Sequence, residues 1–147
     1  SGSGDAEILS VDLVDSKGAA SERFFVGESV TLSVCFVVRK TIPDLVVGFA
    51  LKDVYGQVAF GTNTAHYEGV PRSFEPGNSR IVDFNFNLNL GPGVYSVAVA
   101  LHNGVSHIGG NYEWRDLALL FKVLARDSLA FDGVAWLPTT VEFRNES

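Results

Sequence analysis

The segment Arg80-Ile81-Val82-Asp83-Phe84-Asn85-Phe86-Asn87-Leu88-Asn89-Leu90 alternates apolar and polar side chains from Val82 to its end. A period of two residues puts the apolar side chains on one face of a β-strand and the polar ones on the other. The segment therefore predicts a strand with one face in the core. Gly91-Pro92-Gly93 follows directly, and this tripeptide is typical of a tight turn.

The same period recurs along the rest of the chain, between residues that are typical of turns. No segment shows the 3.6-residue apolar spacing of an amphipathic helix, so we expect little helix. The predicted strands span residues 6–14, 29–38, 45–52, 57–61, 80–90, 94–101, 114–124 and 134–143, the last of them with Pro138 as in an edge strand or bulge. This pattern predicts an all-β fold, an immunoglobulin-like β-sandwich of about eight antiparallel strands. The chain has one cysteine, Cys35, so no internal disulfide is expected.

Length and composition narrow the class of protein. Of the 147 residues 46% are hydrophobic and 19% are charged, a balance that excludes a disordered chain. We expect one domain over 5–147, preceded by a linker at residues 1–4. The net charge is −6 and the basic residues are scattered, which argues against a nucleic-acid partner. No apolar run approaches the ~20 residues of a membrane-spanning helix.

Motifs for catalysis or metal binding are missing from the sequence. It contains no phosphate-binding glycine loop, no Cys-x-x-Cys and no His-Glu-x-x-His. His102 and His107, with Glu113 or Asp116, could supply metal ligands, but the glycine-rich turn between the histidines enforces no ligand geometry. Cys35 has no histidine close in sequence and is expected to pack as a small side chain. Paired carboxylates of a glycosidase type stay an open alternative, because sequence spacing sets no distance between them. We expect no enzyme activity, no metal and no cofactor.

The clearest functional indication is a strand surface of very small side chains. In a sandwich of this type the third, sixth and seventh strands commonly lie side by side, here 45–52, 94–101 and 114–124, with 57–61 adjoining. The outward faces would then carry a floor of Gly48, Ala50, Ala98 and Ala100, with Trp114, His102, Asn63, Gln57 and Asp116 at the margins. Such a floor allows a ligand to approach the backbone closely, and aromatic and amide groups at its edges suit a sugar.

Two alternatives stay open for the outward faces. The small-residue face could be covered by a strand, a loop or another protein, which would make the domain a protein–protein interaction module. A second polar surface, formed by Asp83, Asn85, Asn87 and Asn89, could also bind hydroxyl groups, but the solvent-facing side of one strand is the simpler explanation.

Five stretches resemble a known family in their order and spacing. They are Phe25-Val26-Gly27-Glu28-Ser29-Val30-Thr31-Leu32, Val47-Gly48-Phe49-Ala50-Leu51-Lys52-Asp53, Val58-Ala59-Phe60-Gly61-Thr62-Asn63-Thr64, Leu90-Gly91-Pro92-Gly93-Val94-Tyr95-Ser96-Val97 and Tyr112-Glu113-Trp114-Arg115-Asp116. Together they resemble the C-terminal carbohydrate-binding domain of Wzt-type proteins, the ATPase subunits of ABC transporters that export O-antigen polysaccharide. The resemblance covers nearly the whole chain after residue 4.

This resemblance implies recognition of the exported glycan without catalysis, at the modified non-reducing end. On the predicted small-residue face, we expect Trp114 and Tyr112 to stack on the glycan, and Asn63, Gln57, His102 and Asp116 to form hydrogen bonds with it. Arg115 is a candidate partner for an anionic cap, with a surface ion pair as the alternative.

The resemblance also implies an assembly. We expect a homodimer in which the last strand, about 134–144, is exchanged between subunits through the connection at 125–133. The expected partners in the full-length protein are an ATPase domain and a transmembrane transporter subunit, on the cytoplasmic side of the inner membrane. ATP hydrolysis is not expected from this chain, because it contains no phosphate loop.

Overall fold

The computed structural model of the chain describes residues 4–104 and 111–146. This part of the chain is almost all β, with one short 3₁₀ helix, Thr64–His66. Its strands are β1 (Ala6–Val14), β2 (Arg23–Phe25), β3 (Ser29–Val38), β4 (Leu45–Lys52), β5 (Val58–Asn63), β6 (Arg80–Asn87), β7 (Gly93–Asn103) and β8 (Asn111–Leu124). The predicted all-β class is confirmed, and β1, β3 and β4 have the predicted bounds.

The strands form two sheets. One has the order β1-β3-β6 and the other the order β2-β8-β7-β4-β5. All neighbouring strands are antiparallel except β2, which runs parallel to β8. The sequence does not predict β2, because three residues are too few to show a period. The predicted neighbours β4, β7 and β8 do lie side by side.

Alternating side chains of β3, β4 and β6 fill the space between the sheets. The buried face of β3 consists of five side chains that are each at most 4% exposed: Val30, Leu32, Val34, Phe36 and Val38. Phe49 of β4 stacks on Phe86 with ring centroids 5.5 Å apart and meets Phe84 edge-on at 4.8 Å. Each such aromatic pair adds ~0.5–1.5 kcal/mol beyond the burial of its area. These contacts hold the inner face of β4, so its other face, with Gly48 and Ala50, points outward.

The last predicted strand, 134–143, does not form within the single chain. Ala135 makes an isolated antiparallel bridge with Leu90, and the regular pairing ends there. Pro138 lies three residues beyond the bridged Ala135, and it has no N–H to offer a neighbouring strand. The apolar side chains beyond the bridge are 75%, 76% and 97% exposed at Leu137, Val141 and Phe143. The described residues contain no helix long and apolar enough to cross a bilayer.

Candidate functional site

The outward face of the five-stranded sheet carries a groove of about 380 Å³. Its floor consists of residues that lie opposite each other across β4 and β7, namely the pairs Gly48–Ala100 and Ala50–Ala98. β5 extends this floor with Gly61, opposite Ala50. The structure thus brings together the four floor residues that the sequence predicts.

The two floor glycines, Gly48 and Gly61, keep the groove deep. A Cβ at Gly48 would lie 3.2 Å from Asn63 Cβ, which is tighter than an ordinary contact. A Cβ at Gly61 would lie 3.7 Å from Ala50 Cβ, an ordinary contact distance. A side chain at Gly61 is therefore sterically tolerable, but it would occupy the groove that this residue lines.

Trp114 and His102 form one wall of the groove. Trp114 lies opposite Ala100 in the β7–β8 pairing and is 50% exposed. His102 lies two residues along β7 from Ala100, on the same face, and is half-buried. The indole therefore presents a large apolar surface beside a floor of small side chains.

Asn63 forms the opposite wall, at the point where β5 ends and the 3₁₀ helix begins. Its Oδ1 accepts the N–H of Ala65 at 2.9 Å, which caps the helix. The next residue, Thr64, is buried, and its Oγ1 accepts the N–H of Val47 at 3.0 Å. These bonds hold the wall against β4 and leave the Nδ2 hydrogens of Asn63 to donate elsewhere.

His66 and Lys52 also line the groove, and neither is among the predicted site residues. His66 is the last residue of the 3₁₀ helix, which turns back beside β4 after the Asn63 cap. Lys52 continues the outward row of β4, and its Nζ lies 3.4 Å from Asp116 Oδ1. Asp116 does not line the groove itself, but it contacts Lys52, which does. The period of two in β4 already indicates the outward position of Lys52.

Gln57 does not reach the groove. The pairing of β4 with β5 shifts by one residue, so that Leu51 lies opposite Phe60 but Lys52 lies opposite Val58. A bulge of one residue reverses the faces of the residues that precede it. Val58 therefore takes the outward position, and Gln57 belongs to the turn before β5.

Tyr112 and Arg115 are directed away from the groove. Tyr112 packs against the core, and this burial raises the pKa of its hydroxyl, with a further contribution from the carboxylates of Asp5 and Asp44. Arg115 Nη2 donates to the carbonyl oxygen of Ile8 in β1, at 2.5 Å. Their placement gives no support to the stacking and anion-binding roles expected for them.

The predicted metal alternative falls partly outside the described residues, because His107 does. Within 4–104 and 111–146, no three histidine, cysteine, aspartate or glutamate side chains come together as metal ligands. His102 shares the groove with His66 instead.

The second polar surface lies on the outer face of β6. Three of its four side chains accept hydrogen bonds from hydroxyl groups of β3, in the pairs Ser29–Asn87 at 2.9 Å, Thr31–Asn85 at 2.6 Å and Ser33–Asp83 at 2.5 Å, and Asn89 lies beyond the end of β6. Cross-strand pairs of this kind stabilise a sheet. The row therefore has a structural role as the polar side of an edge strand.

Solved structures with a similar fold include one described as the C-terminal domain of Wzt. It has a TM-score of 0.86 and 20% sequence identity, and the match covers 98% of this chain and 87% of that chain. Pseudomonas fluorescens alkylpurine DNA glycosylase AlkC, bound to DNA containing an abasic site analog, matches with a TM-score of 0.54 and 16% identity over 84% of this chain and 31% of that chain. At these identities the likeness concerns the fold alone. No curated protein matches the chain significantly.

The family comparison goes further than the fold. The family described as the Wzt C-terminal domain matches residues 1–137, which include the groove and both of its walls. The resemblance seen in the sequence is confirmed. The chain therefore belongs to the Wzt C-terminal domain family, whose members are domains of O-antigen ABC transporters.

Proposed function

We propose that this domain binds the O-antigen polysaccharide that the transporter exports, at its modified non-reducing end and without catalysis. The observation that carries the proposal is the groove, with its glycine and alanine floor between Trp114 and Asn63. In the full-length protein the domain would act beside an ATPase domain and a transmembrane subunit, on the cytoplasmic side of the inner membrane.

Each part of the groove suits a part of a sugar ring. The half-exposed indole of Trp114 offers a flat face on which the C–H groups of a pyranose pack. The Nδ2 hydrogens of Asn63 can donate to hydroxyl oxygens, and the imidazoles of His102 and His66 can donate or accept. Because the floor has almost no side chains, the ring can lie against the backbone between these groups.

The size of the groove favours the end of a chain over a long stretch of it. Its volume of about 380 Å³ is near the low end of the roughly 300–1,000 Å³ that is typical of small-ligand sites. A small, solvent-open site predicts modest affinity, which two linked sites in a dimer would raise through avidity.

We also propose that the domain is a homodimer in which the last predicted strand, about 134–144, pairs with the partner subunit through the residues that follow the Leu90–Ala135 bridge. The segment alternates exposed apolar side chains, such as Val141 and Phe143, with Glu142 and Arg144. β6 is an edge strand, and apolar cavities of about 290 and 310 Å³ lie between β5 and β6. A strand added along the outer edge of β6 would cover both cavities.

Calorimetric titration of the domain with O-polysaccharide released from the lipopolysaccharide of the source organism tests the groove. Trp114→Ala and His102→Ala should each weaken binding by about tenfold or more and leave the thermal midpoint close to that of the wild type, because both side chains lie on the outward face. Gly61→Val should also weaken binding by filling the floor, while a β-branched residue suits the strand.

Gln57→Ala is the matched control, because Gln57 adjoins β5 but does not line the groove; it should bind like the wild type. Dextran serves as the unrelated polysaccharide. Wild-type affinity in both the Trp114 and His102 variants would reject this site. If the wild type does not bind the glycan but binds another protein of the transporter, the protein-interaction alternative is favoured. Release of sugar during the titration would indicate an enzyme.

A further inference from the structure

Two charged side chains that flank Trp114 bind the backbone of the opposite sheet. Glu113 Oε1 accepts the N–H of Ile8, and Arg115 Nη2 donates to the carbonyl oxygen of the same residue at 2.5 Å. Arg115 Nε also lies 3.6 Å from Glu113 Oε2. The Ile8 side chain is fully buried, so its backbone is anchored in the core. We call these contacts the Ile8 clamp.

Ile8 pairs with Phe36 of β3, and β1 is an edge strand, so the clamp takes the place of a neighbouring strand on the other side of β1. Ile8 receives one acceptor and one donor, as it would from a neighbouring strand, and both bonds involve a charged group, which strengthens them. The two side chains are less exposed, at 18% for Glu113 and 40% for Arg115, than those of the surface pair Arg39 and Glu7, at 52% and 43%. A partly buried contact of this kind is a better structural link than an exposed ion pair.

The part of β8 around Trp114 needs such a link. Its pairing with β7 is regular only from Glu113 to Arg115, because the register shifts on both sides of these residues. β2 lies on the other side of β8 but pairs with it at 122–124. In the described part of the chain, no strand pairs with 113–115 on that side. The clamp supplies the second attachment.

We propose that Glu113 and Arg115 are positioning residues that hold Trp114 in place over the groove. Side chains alternate along a strand, so the two that grip Ile8 on the inner side leave the indole between them on the outer side. Fixing both neighbours fixes the backbone from which Trp114 projects, and therefore the indole face that the ligand meets. The role in binding rests on the proposed function, whereas the positioning itself can be measured without a ligand.

Fluorine NMR of the domain labelled with 5-fluorotryptophan tests the proposal. The chain has two tryptophans, and Trp136→Phe assigns their resonances. Glu113→Ala and Arg115→Ala should each shift or broaden the Trp114 resonance and leave that of Trp136 unchanged. Both variants should bind the released O-polysaccharide about tenfold more weakly, as expected for loss of one partly buried hydrogen bond.

Conservative variants and a matched control separate positioning from general damage. Glu113→Gln keeps an oxygen that accepts the Ile8 N–H and should restore the wild-type Trp114 resonance. Arg115→Lys keeps the charge but not the planar fork, and should also shift or broaden the Trp114 resonance. This variant provides the test if Arg115→Ala does not fold. Arg39→Ala removes the exposed pair with Glu7 and should leave Trp114 unaffected.

An unchanged Trp114 resonance in the alanine variants, or an equal response of Trp136, would overturn the proposal. If Trp114 responds as expected but the wild type binds no O-polysaccharide, positioning is supported and the proposed function fails. If the wild type binds the polysaccharide but the Trp114 resonance does not change in the alanine variants, the proposed function is supported and the positioning role fails.

Discussion

Tyr95 connects the turn after β6 to the core through a single hydroxyl group. It is 4% exposed, stacks on Phe121 with ring centroids 5.6 Å apart, and donates to the carbonyl oxygen of Gly91 at 2.7 Å. Tyr95→Phe keeps the stacking and removes this hydrogen bond. We expect the free energy of unfolding to fall by about 1 kcal/mol, measured by denaturant titration at neutral pH.

The same residue predicts a dependence on alkaline pH. Burial raises the pKa of the Tyr95 hydroxyl above its ordinary value of 10.0, and the Asp53 carboxylate adds to this. The folded protein then holds the Tyr95 proton more tightly than the unfolded chain does. The contribution of this proton to the free energy of unfolding is therefore fully present below about pH 10 and is lost as the pH rises further. Stability curves taken across this range should fall less steeply for Tyr95→Phe. Tyr55→Phe is the control, because Tyr55 is 86% exposed, and its stability should follow that of the wild type at every pH. If Tyr95→Phe also follows the wild type, the Tyr95 hydroxyl does not have this role.

Among the elements, the segment 133–136 is held in place by a close backbone contact with the turn after β6. A Cβ at Gly91 would lie 2.2 Å from the Gly133 carbonyl oxygen, a distance that only a backbone shift could relieve. Gly91→Ala should lower the free energy of unfolding by roughly 1–3 kcal/mol and expose the end of the chain to proteolysis. Gly77→Ala is the matched control, because nothing lies within 4 Å of the added methyl group. Equal stability and equal cleavage rates for the two variants would contradict this account.

For the whole molecule, the exposed apolar residues of the last segment predict self-association. Deleting residues 137–147 should convert a dimer into a monomer in sedimentation velocity, because it removes the strand proposed to cover the edge of β6. Phe143→Asp should act in the same direction, since Phe143 is 97% exposed in the single chain and would be buried in the dimer. Arg144→Ala, on the other side of the segment, should leave the dimer intact. A monomeric wild type, or a dimer that survives the deletion, would refute the exchange.

The groove floor could be predicted because two regularities meet in it. A strict period of two assigns Gly48, Ala50, Ala98 and Ala100 to one face of their strands, and the usual strand order of a sandwich places those strands together. The positions of Gln57 and Arg115 could not be predicted in this way, for two different reasons. A one-residue bulge turns Gln57 off the face, and Arg115 finds its partner in the backbone of Ile8, 107 residues away along the chain.

The sequence by itself determined the β class, the bounds of several strands and the side chains that share each face, because consecutive residues of an extended chain alternate by local geometry. Only the tertiary structure decided where β2 pairs, where the register slips, that His66 lines the groove, and that the last predicted strand is reduced to an isolated bridge between Leu90 and Ala135 within one chain. The physical reason is that pairing register and strand partners depend on hydrogen bonds and packing between residues far apart in sequence, which no local period records.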